Sequence, residues 1–338
     1  EKKMKVAEIK KYSKFEKILT ENKKINELGE NEILILVKFA GLNHVDKMIK
    51  EGELKIVFNY SFPLVLGNEI SGVVEKVGKN VKKFKVGDKV YSRLPINQLG
   101  GFGEKIVVNE KEVGIFPNYL TYEEAATIPL VGLTAIQAFE KLKIEKGKTI
   151  FISGATGSFG NIAVPLAKYK GLKVIVSGNV KNKEKMLNIG VEKFIDYKSE
   201  NYVEILKNEK VDYVIDTIGN NELVKQFSIL KNGGSLVSIK GIPNKKFAEE
   251  HNLSYFKKII FQLISNKIEK LSKKNNQKYH FLFVKSNGNQ LDEITNILNE
   301  IKLRPSIDRI FEFEKINEAF EYLERNSVKG KIIIKIDK

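Results

Sequence analysis

The chain has no cysteine and no tryptophan, and only three histidines and four arginines among its 338 residues. Without cysteine there is no disulfide and no thiolate metal site. The same absence fits a reducing compartment, so a cytoplasmic location is expected. The histidines, His44, His251 and His280, lie far apart and form neither HxxxH nor HExxH, so no histidine-built metal site is expected. No apolar run approaches the ~18 residues of a membrane span. The opening Glu1-Lys-Lys-Met-Lys-Val6 passes directly into a strand-like segment with no signal-peptide core, so neither spanning nor secretion is expected.

What is present is lysine. The chain carries 58 basic and 42 acidic residues, a net charge of +16. Such a balance raises nucleic-acid binding as a possibility. Arginine, the residue most used for base and phosphate forks, is scarce, and the lysines are spread along polar faces. This pattern reads as a solvated surface, and nucleic acid is not expected as a partner. A basic surface still favours anionic small ligands, such as a phosphorylated cofactor. With 42% hydrophobic and 30% charged residues the composition is that of a globular protein, and the length suits two domains.

Hydrophobic patterning divides the chain. Residues 4–9 and 32–40 read as strands, the second apolar enough for burial on both faces. Gly41-Leu-Asn-His-Val-Asp46 turns into a short helix ending near Gly52, for which Asn43 or Asp46 would serve as a plain N-cap. Short strands with Gly and Asp turns continue to about residue 108, as in a β-barrel-like module. Past residue 121 helices appear. From residue 149 strands and helices alternate to about residue 240, the signature of βαβ units on a parallel sheet. Residues 244–278 read as polar and helical, with the amphipathic Phe256–Ile264 facing the core or an oligomer partner and not a membrane, so no membrane is expected as a partner. A strand at 279–284, helices at 289–301 and 315–325 and a last strand at 331–336 close the chain.

The first strand of the alternating region runs into a glycine-bearing turn, Thr149-Ile-Phe-Ile-Ser-Gly-Ala-Thr-Gly-Ser-Phe-Gly160. Strand, tight turn and helix start together form a phosphate site, where backbone approaches a pyrophosphate and free N–H groups face it. The pattern here is AxxGxxG across Ala155, Gly157 and Gly160, and not a strict GxGxxG. Alone such a glycine run is a weak signal, and an ordinary strand-to-helix turn accounts for it more readily than a dinucleotide site.

Six landmarks in order resemble the zinc-independent quinone oxidoreductases of the medium-chain dehydrogenase/reductase superfamily. They are Gly41-Leu-Asn-His-Val-Asp46, Phe62-Pro-Leu-Val-Leu-Gly-Asn-Glu-Ile-Ser-Gly-Val-Val74, Val86-Gly-Asp-Lys-Val90, Glu123-Glu-Ala-Ala-Thr-Ile-Pro-Leu-Val-Gly-Leu-Thr-Ala135, the AxxGxxG turn and Ser327-Val-Lys-Gly-Lys331. The resemblance implies an α/β protein: a GroES-like β-barrel catalytic domain over 1–122 and 286–338, and a doubly wound Rossmann cofactor domain over 123–285. It places the active site in the cleft between them. Zinc-dependent relatives hold a metal with Cys, His and a further Cys or acid. Here Asn43 stands at the first Cys position and Asn68 at the His position, leaving Glu69 without its metal. Without a Lewis acid, oxidation of a simple alcohol is disfavoured. Hydride transfer to a quinone or an α,β-unsaturated carbonyl needs only hydrogen-bond donors for the developing oxyanion. The alternatives are an enoyl-thioester reductase of the same superfamily and a cofactor-binding protein with a non-catalytic role such as RNA binding.

An NAD-specific Rossmann site places an acid at the end of its second strand. In this chain that place is Ser177-Gly178, with Lys181 following, so NADP(H) is expected as cofactor. By resemblance, Gly157, Ser158 and Phe159 contact the pyrophosphate and Tyr197 packs by the adenosine phosphate. Thr217, Gly219, Gly241 and Ile242 sit at the carboxyl edge of the sheet. Thr134 and Phe283 lie by the nicotinamide, and Lys331 reaches a cofactor phosphate or plays a structural part. Asn43, Asp46 and Tyr60 line the catalytic end, with Asn43 also touching cofactor. Relatives suggest a homodimer.

Overall fold

The computed structural model describes residues 2–325 and 329–337, so Ser327 and Val328 of the last landmark lie outside the described residues. The chain divides into two units, one running to Leu133 and resuming at Lys285, the other Thr134–Val284. In chain order the first unit contributes β1 (Lys3–Ile9), β2 (Leu19–Lys24), β3 (Glu32–Leu42), α1 (His44–Glu51), β4 (Leu64–Val65), β5 (Glu69–Val77), β6 (Lys89–Arg93), β7 (Lys105–Asn109), β8 (Val113–Ile115), α2 (Tyr122–Ala125) and the start of α3 (Pro129–Leu142). The second holds β9 (Thr149–Ile152), α4 (Ser158–Tyr169), β10 (Lys173–Gly178), α5 (Lys183–Ile189), β11 (Lys193–Asp196), α6 (Tyr202–Leu206), β12 (Val211–Asp216), α7 (Glu222–Ser228), β13 (Leu230–Ser238), α8 (Lys245–Glu250), α9 (Tyr255–Lys274) and β14 (Lys278–Phe281). The return to the first unit adds α10 (Gly288–Ile301), β15 (Ile307–Glu312), α11 (Ile316–Arg325) and β16 (Lys331–Lys335).

In the first unit β3 is the central strand. It pairs antiparallel with β5, β7 and β16, in a sheet that runs β15-β16-β3-β5-β6-β8 with β7 off that path. Ile33, Leu34, Ile35, Val37 and Ala40 are all buried, as the unbroken apolar run requires. A small sheet, β2-β1-β4, completes the β structure. The unit extends past residue 122 because α2 packs on β3 and β5, and Ser71 Oγ donates to the Tyr122 carbonyl at 2.5 Å.

The second unit is a six-stranded, wholly parallel sheet of order β11-β10-β9-β12-β13-β14. Counting strands from β9, this is the doubly wound order in which direction reverses beside the first strand. The reversal opens a crevice at the carboxyl ends of β9 and β12, where the glycine turn begins. The interior strands are apolar throughout, and Phe151 of β9, fully buried, stacks on Tyr202 at 5.1 Å.

Four strands escape prediction, the short β4 and β8 and the longer β2 and β15. The sequence of β2, Leu-Thr-Glu-Asn-Lys-Lys, is exposed along nearly its whole length, so no apolar alternation marks it. Strand β15 is an edge strand held by its parallel pairing to β16. The helical stretch 244–278 is two helices, broken where Asn252 takes a left-handed φ of 52°. Truncating Phe151 to Ala leaves a cavity under a buried ring stack, and a loss of about 3–5 kcal/mol is expected in urea denaturation. A loss below about 1 kcal/mol would mean the sheet core collapses around the gap.

Candidate functional site

The sheet edge expected to hold the cofactor belongs to the second unit. Gly157 is the N-cap of α4 and has open space where a Cβ would stand. A Cβ on Gly160 would come within 1.9 Å of the Ala155 carbonyl oxygen, so only glycine lets the helix sit this close to the turn. The turn itself is tied down. Ala155 N–H donates to the Ser177 carbonyl at 2.8 Å, and Gly154 N–H to Ser177 Oγ at 3.3 Å. Beyond β9, Thr217 Oγ1 donates to the Ser153 carbonyl at 2.7 Å. A Cβ on Gly178 would meet Thr156 Cγ2 at 2.2 Å, so the second strand ends in a residue with no side chain, tucked under the turn.

The neighbouring loops are held by Asp216, a fully buried carboxylate at the end of β12. It accepts from the Ile218 and Gly219 N–H groups at 3.0 Å, from Gln226 Nε2 at 2.8 Å and from Ser238 Oγ at 2.6 Å. The Tyr279 hydroxyl donates to the Ile242 carbonyl at 2.7 Å and accepts from its N–H at 2.9 Å. Thus Gly157, Ser158, Phe159, Ser177, Thr217, Gly219, Gly241 and Ile242 share one sheet edge. Lys181 is exposed beside it and forms no ion pair among the described residues. Tyr197 is exposed just past β11, its N–H donating to the Gly178 carbonyl at 3.3 Å. Thr134 is buried in α3, and Phe283 is half-buried after β14. The vacant space at Gly157 and the clash-limited Gly160 fit a bound dinucleotide pyrophosphate.

The first unit holds a buried polar cluster. Asn43 is the N-cap of α1, and its N–H donates to Asp46 Oδ2 at 2.8 Å. Its amide nitrogen donates to Glu69 Oε1 at 3.1 Å, and its amide oxygen accepts from the Lys331 ammonium. Lys331 also pairs with Glu69 Oε1 at 3.1 Å, although the two side chains are only 4% and 0% exposed. The other Glu69 oxygen accepts from the Leu130 N–H at 2.7 Å. Asn68 donates to Asp46 Oδ1 at 2.7 Å. Arg93, fully buried at the end of β6, donates to the Leu94 carbonyl at 3.0 Å. Tyr60 donates its hydroxyl to the Ile96 carbonyl at 2.7 Å.

Burial governs the charges. It pushes the Asp46 carboxyl up to about 7, with Glu69 adding to the rise, while the bonds from Asn43 and Asn68 and the charge of Lys331 oppose it. Burial lowers the Arg93 guanidinium to about 10, against the pull of Asp46, Tyr60 and Glu69, so it stays charged at neutral pH. Burial also raises the Tyr60 hydroxyl well above its ordinary value, which keeps it a donor. Asn43, Asp46 and Lys331 are therefore brought together by local sequence and by β16 lying against β3. Arg93 and Asp216 escaped sequence reading. The signals open to it were a rare arginine closing an apolar strand, and an aspartate closing β12 before a Thr-Ile-Gly turn.

The cluster does not suit a zinc ion. The residues at the ligand positions are two amides and a carboxylate whose oxygens already hold an amide, an ammonium and a backbone N–H. Among the described residues no group of three or more His, Cys, Asp or Glu side chains is placed to hold a metal. No helix among them is long and apolar enough to cross a membrane.

A barrel-type β unit joined to a doubly wound nucleotide-binding unit defines a class of two-unit dehydrogenases and reductases. The alcohol dehydrogenase GroES-like domain profile matches residues 29–130, and the zinc-binding dehydrogenase profile matches residues 189–334. The 2-methylene-furan-3-one reductase of Solanum lycopersicum is 30% identical over 329 residues, spanning 94% of this chain and 74% of its own. The chloroplastic NADPH-dependent alkenal/one oxidoreductase of Arabidopsis thaliana is 28% identical, spanning 94% and 75%. The solved quinone oxidoreductase from Coxiella burnetii is 26% identical and superimposes with a TM-score of 0.82, over 99% of this chain and 100% of its own. The chain belongs to the quinone oxidoreductase-like branch of the medium-chain dehydrogenase/reductase superfamily.

Two predictions follow from the buried cluster. Lys331→Met strands the Glu69 charge and should cost about 3–5 kcal/mol in urea denaturation. Adding Glu69→Gln to it should restore at least half, and no recovery in the double variant would show that the two charges do not act as a pair. Asp46 binds its proton more tightly when folded, near 7, than at the ordinary 3.8. Its contribution to stability is therefore full below 3.8 and lost as pH rises through about 7. Asp46→Asn removes that dependence, so the urea midpoint of the variant should gain on the parent between about pH 5 and about pH 8. A constant difference across that range counts against the shift.

Proposed function

We propose that the protein is a zinc-independent, NADPH-dependent reductase that transfers hydride to a quinone or an α,β-unsaturated carbonyl. The observation that carries the cofactor choice is the end of β10. Ser177-Gly178 offers no carboxylate for a ribose 2′-hydroxyl, Thr156 covers Gly178, and exposed Lys181 stands ready for a 2′-phosphate. Bound along this edge, the cofactor supplies hydride from its nicotinamide. The residues of the chain bind and orient. The N–H groups opening α4 take the pyrophosphate, and Asp216 and Tyr279 keep the adjoining loops in place.

For the acceptor, kinship with reductases named for an alkenal/one and a methylene-furanone supports an activated double bond, and kinship with a quinone oxidoreductase supports a quinone. The chemistry of the first unit agrees. Asn43 has one amide hydrogen beyond the one given to Glu69, available to a developing oxyanion. The Tyr60 hydroxyl offers a second donor once it leaves the Ile96 carbonyl. Asp46 has both oxygens engaged and acts as a positioning residue for Asn43 and Asn68. Solvent supplies the final proton. The reading places the enzyme in the cytoplasm as a homodimer.

Absorbance at the reduced-nicotinamide band, followed with a panel of quinones, enones and a crotonyl thioester, tests the reaction. Turnover with quinones or enones is expected. Turnover with the thioester alone, or binding with no turnover, overturns the assignment. The KM for NADPH should be at least tenfold below that for NADH, and Lys181→Ala should raise the NADPH value about fivefold, the worth of one exposed charge-assisted contact. An NADH KM equal to or below that of NADPH would show the cofactor choice to be wrong.

A further inference from the structure

Helix α9 buries Phe261, Ser265, Ile268 and Ser272 on the side packed against α7, α8 and β14. Its other side is unusual for a surface helix. Tyr255 is 79% exposed, Phe256 71%, Leu263 69%, Ile264 49% and Ile259 36%. At 3.6 residues per turn, Tyr255, Phe256, Ile259 and Leu263 form one outward stripe over the first turns. Lys267, Lys270, Lys273 and Lys274 continue the same stripe to the C-terminus. With Lys257 and Lys258 the helix carries six lysines, and none of them forms an ion pair among the described residues. Its single acid, Glu269, is held by Asn244 Nδ2 at 2.9 Å.

We propose that this face of α9 docks in the headgroup layer of an anionic lipid membrane. An apolar stripe flanked by lysines is the chemistry of an interfacial helix. Aromatic and aliphatic side chains sink into the boundary with the acyl chains, while lysines reach lipid phosphate and carboxylate groups. The charge favours lipid over a second copy of this chain. An isologous contact through this stripe would bring Lys267, Lys270, Lys273 and Lys274 of each copy into the interface, with no acid on the stripe to answer them. A homodimer would therefore form through another surface. A peripheral attachment of this kind needs no membrane-spanning helix.

The absence of tryptophan makes the test clean, because Phe256→Trp introduces the only indole in the chain. With vesicles of phosphatidylcholine containing about one-third phosphatidylserine, at low salt, its emission should shift to the blue and the protein should sediment with the lipid. Both effects should vanish in high salt and with phosphatidylcholine alone. Leu263→Asp should abolish co-sedimentation while leaving nicotinamide oxidation unchanged, and charge reversal at Lys267, Lys270 and Lys273 should weaken binding at least tenfold. Absent or equal binding to the two kinds of vesicle overturns the proposal. So does an emission already blue-shifted without lipid in a protein that Leu263→Asp converts from dimer to monomer, which would assign the face to a second copy.

Discussion

The buried pair of Lys331 and Glu69 is the constraint around which the first unit is arranged. Two charges at 4% and 0% exposure are tolerable only if each finds its counter-charge and its remaining hydrogen bonds. Glu69 opens β5, Lys331 opens β16, and both strands flank β3. Asn43, at the end of β3, bridges the pair by giving its amide N–H to the acid and its oxygen to the ammonium. Leu130 at the start of α3 closes the last Glu69 oxygen. The placement of α1 then follows, since Asn43 caps it and Asp46 in its first turn accepts the Asn43 N–H. One ion pair thus ties two strands and two helix starts to the central strand.

The second unit depends on a steric condition. Gly160 permits α4 to lie against the Ala155 carbonyl, and Gly178 permits Thr156 to lie over the end of β10. Larger residues at either place would lift the turn away from the sheet. Asp216 adds a polar counterpart, collecting N–H and O–H donors from the loops after β12 and β13. The cradle is consequently preorganised by packing on one side and by one carboxylate on the other.

Legibility in the sequence followed the range of the interaction. The alternation of apolar strands and helices after residue 149 is a local signal, and the sheet formed with its six strands in doubly wound order. The glycine turn was equally visible, because its requirement for small residues is met within twelve consecutive positions. Strand β2 was not visible, since it is a polar edge strand defined by pairing with β1. The same holds for the polar cluster. Asn43, Asn68 and Glu69 stood out through landmark motifs, yet the cation that completes them lies 288 positions from Asn43. Lys331 was expected either at a cofactor phosphate or in a structural part, and its partners Glu69 and Asn43 became plain only once β16 was laid beside β3. Buried Arg93 and Asp216 carry no motif at all.

That cation also bears on chemistry. An ammonium and a divalent metal both neutralise a buried glutamate, but they differ in what they offer a bound oxygen. A metal acts as a Lewis acid and can lower the pKa of a coordinated hydroxyl by many units. An ammonium donates hydrogen bonds along fixed directions, and in this cluster two of Lys331's three are committed to Asn43 and Glu69. Under the proposed function, what the site offers is modest polarisation through Asn43 and Tyr60, in surroundings where burial strengthens each donor. Such a site suits an acceptor whose own conjugation spreads the incoming charge. Quinones and enones meet that condition without help, and a simple ketone does not. On that reading, a lysine beside Glu69 suits the same acceptors that kinship with alkenal/one and quinone oxidoreductases supports.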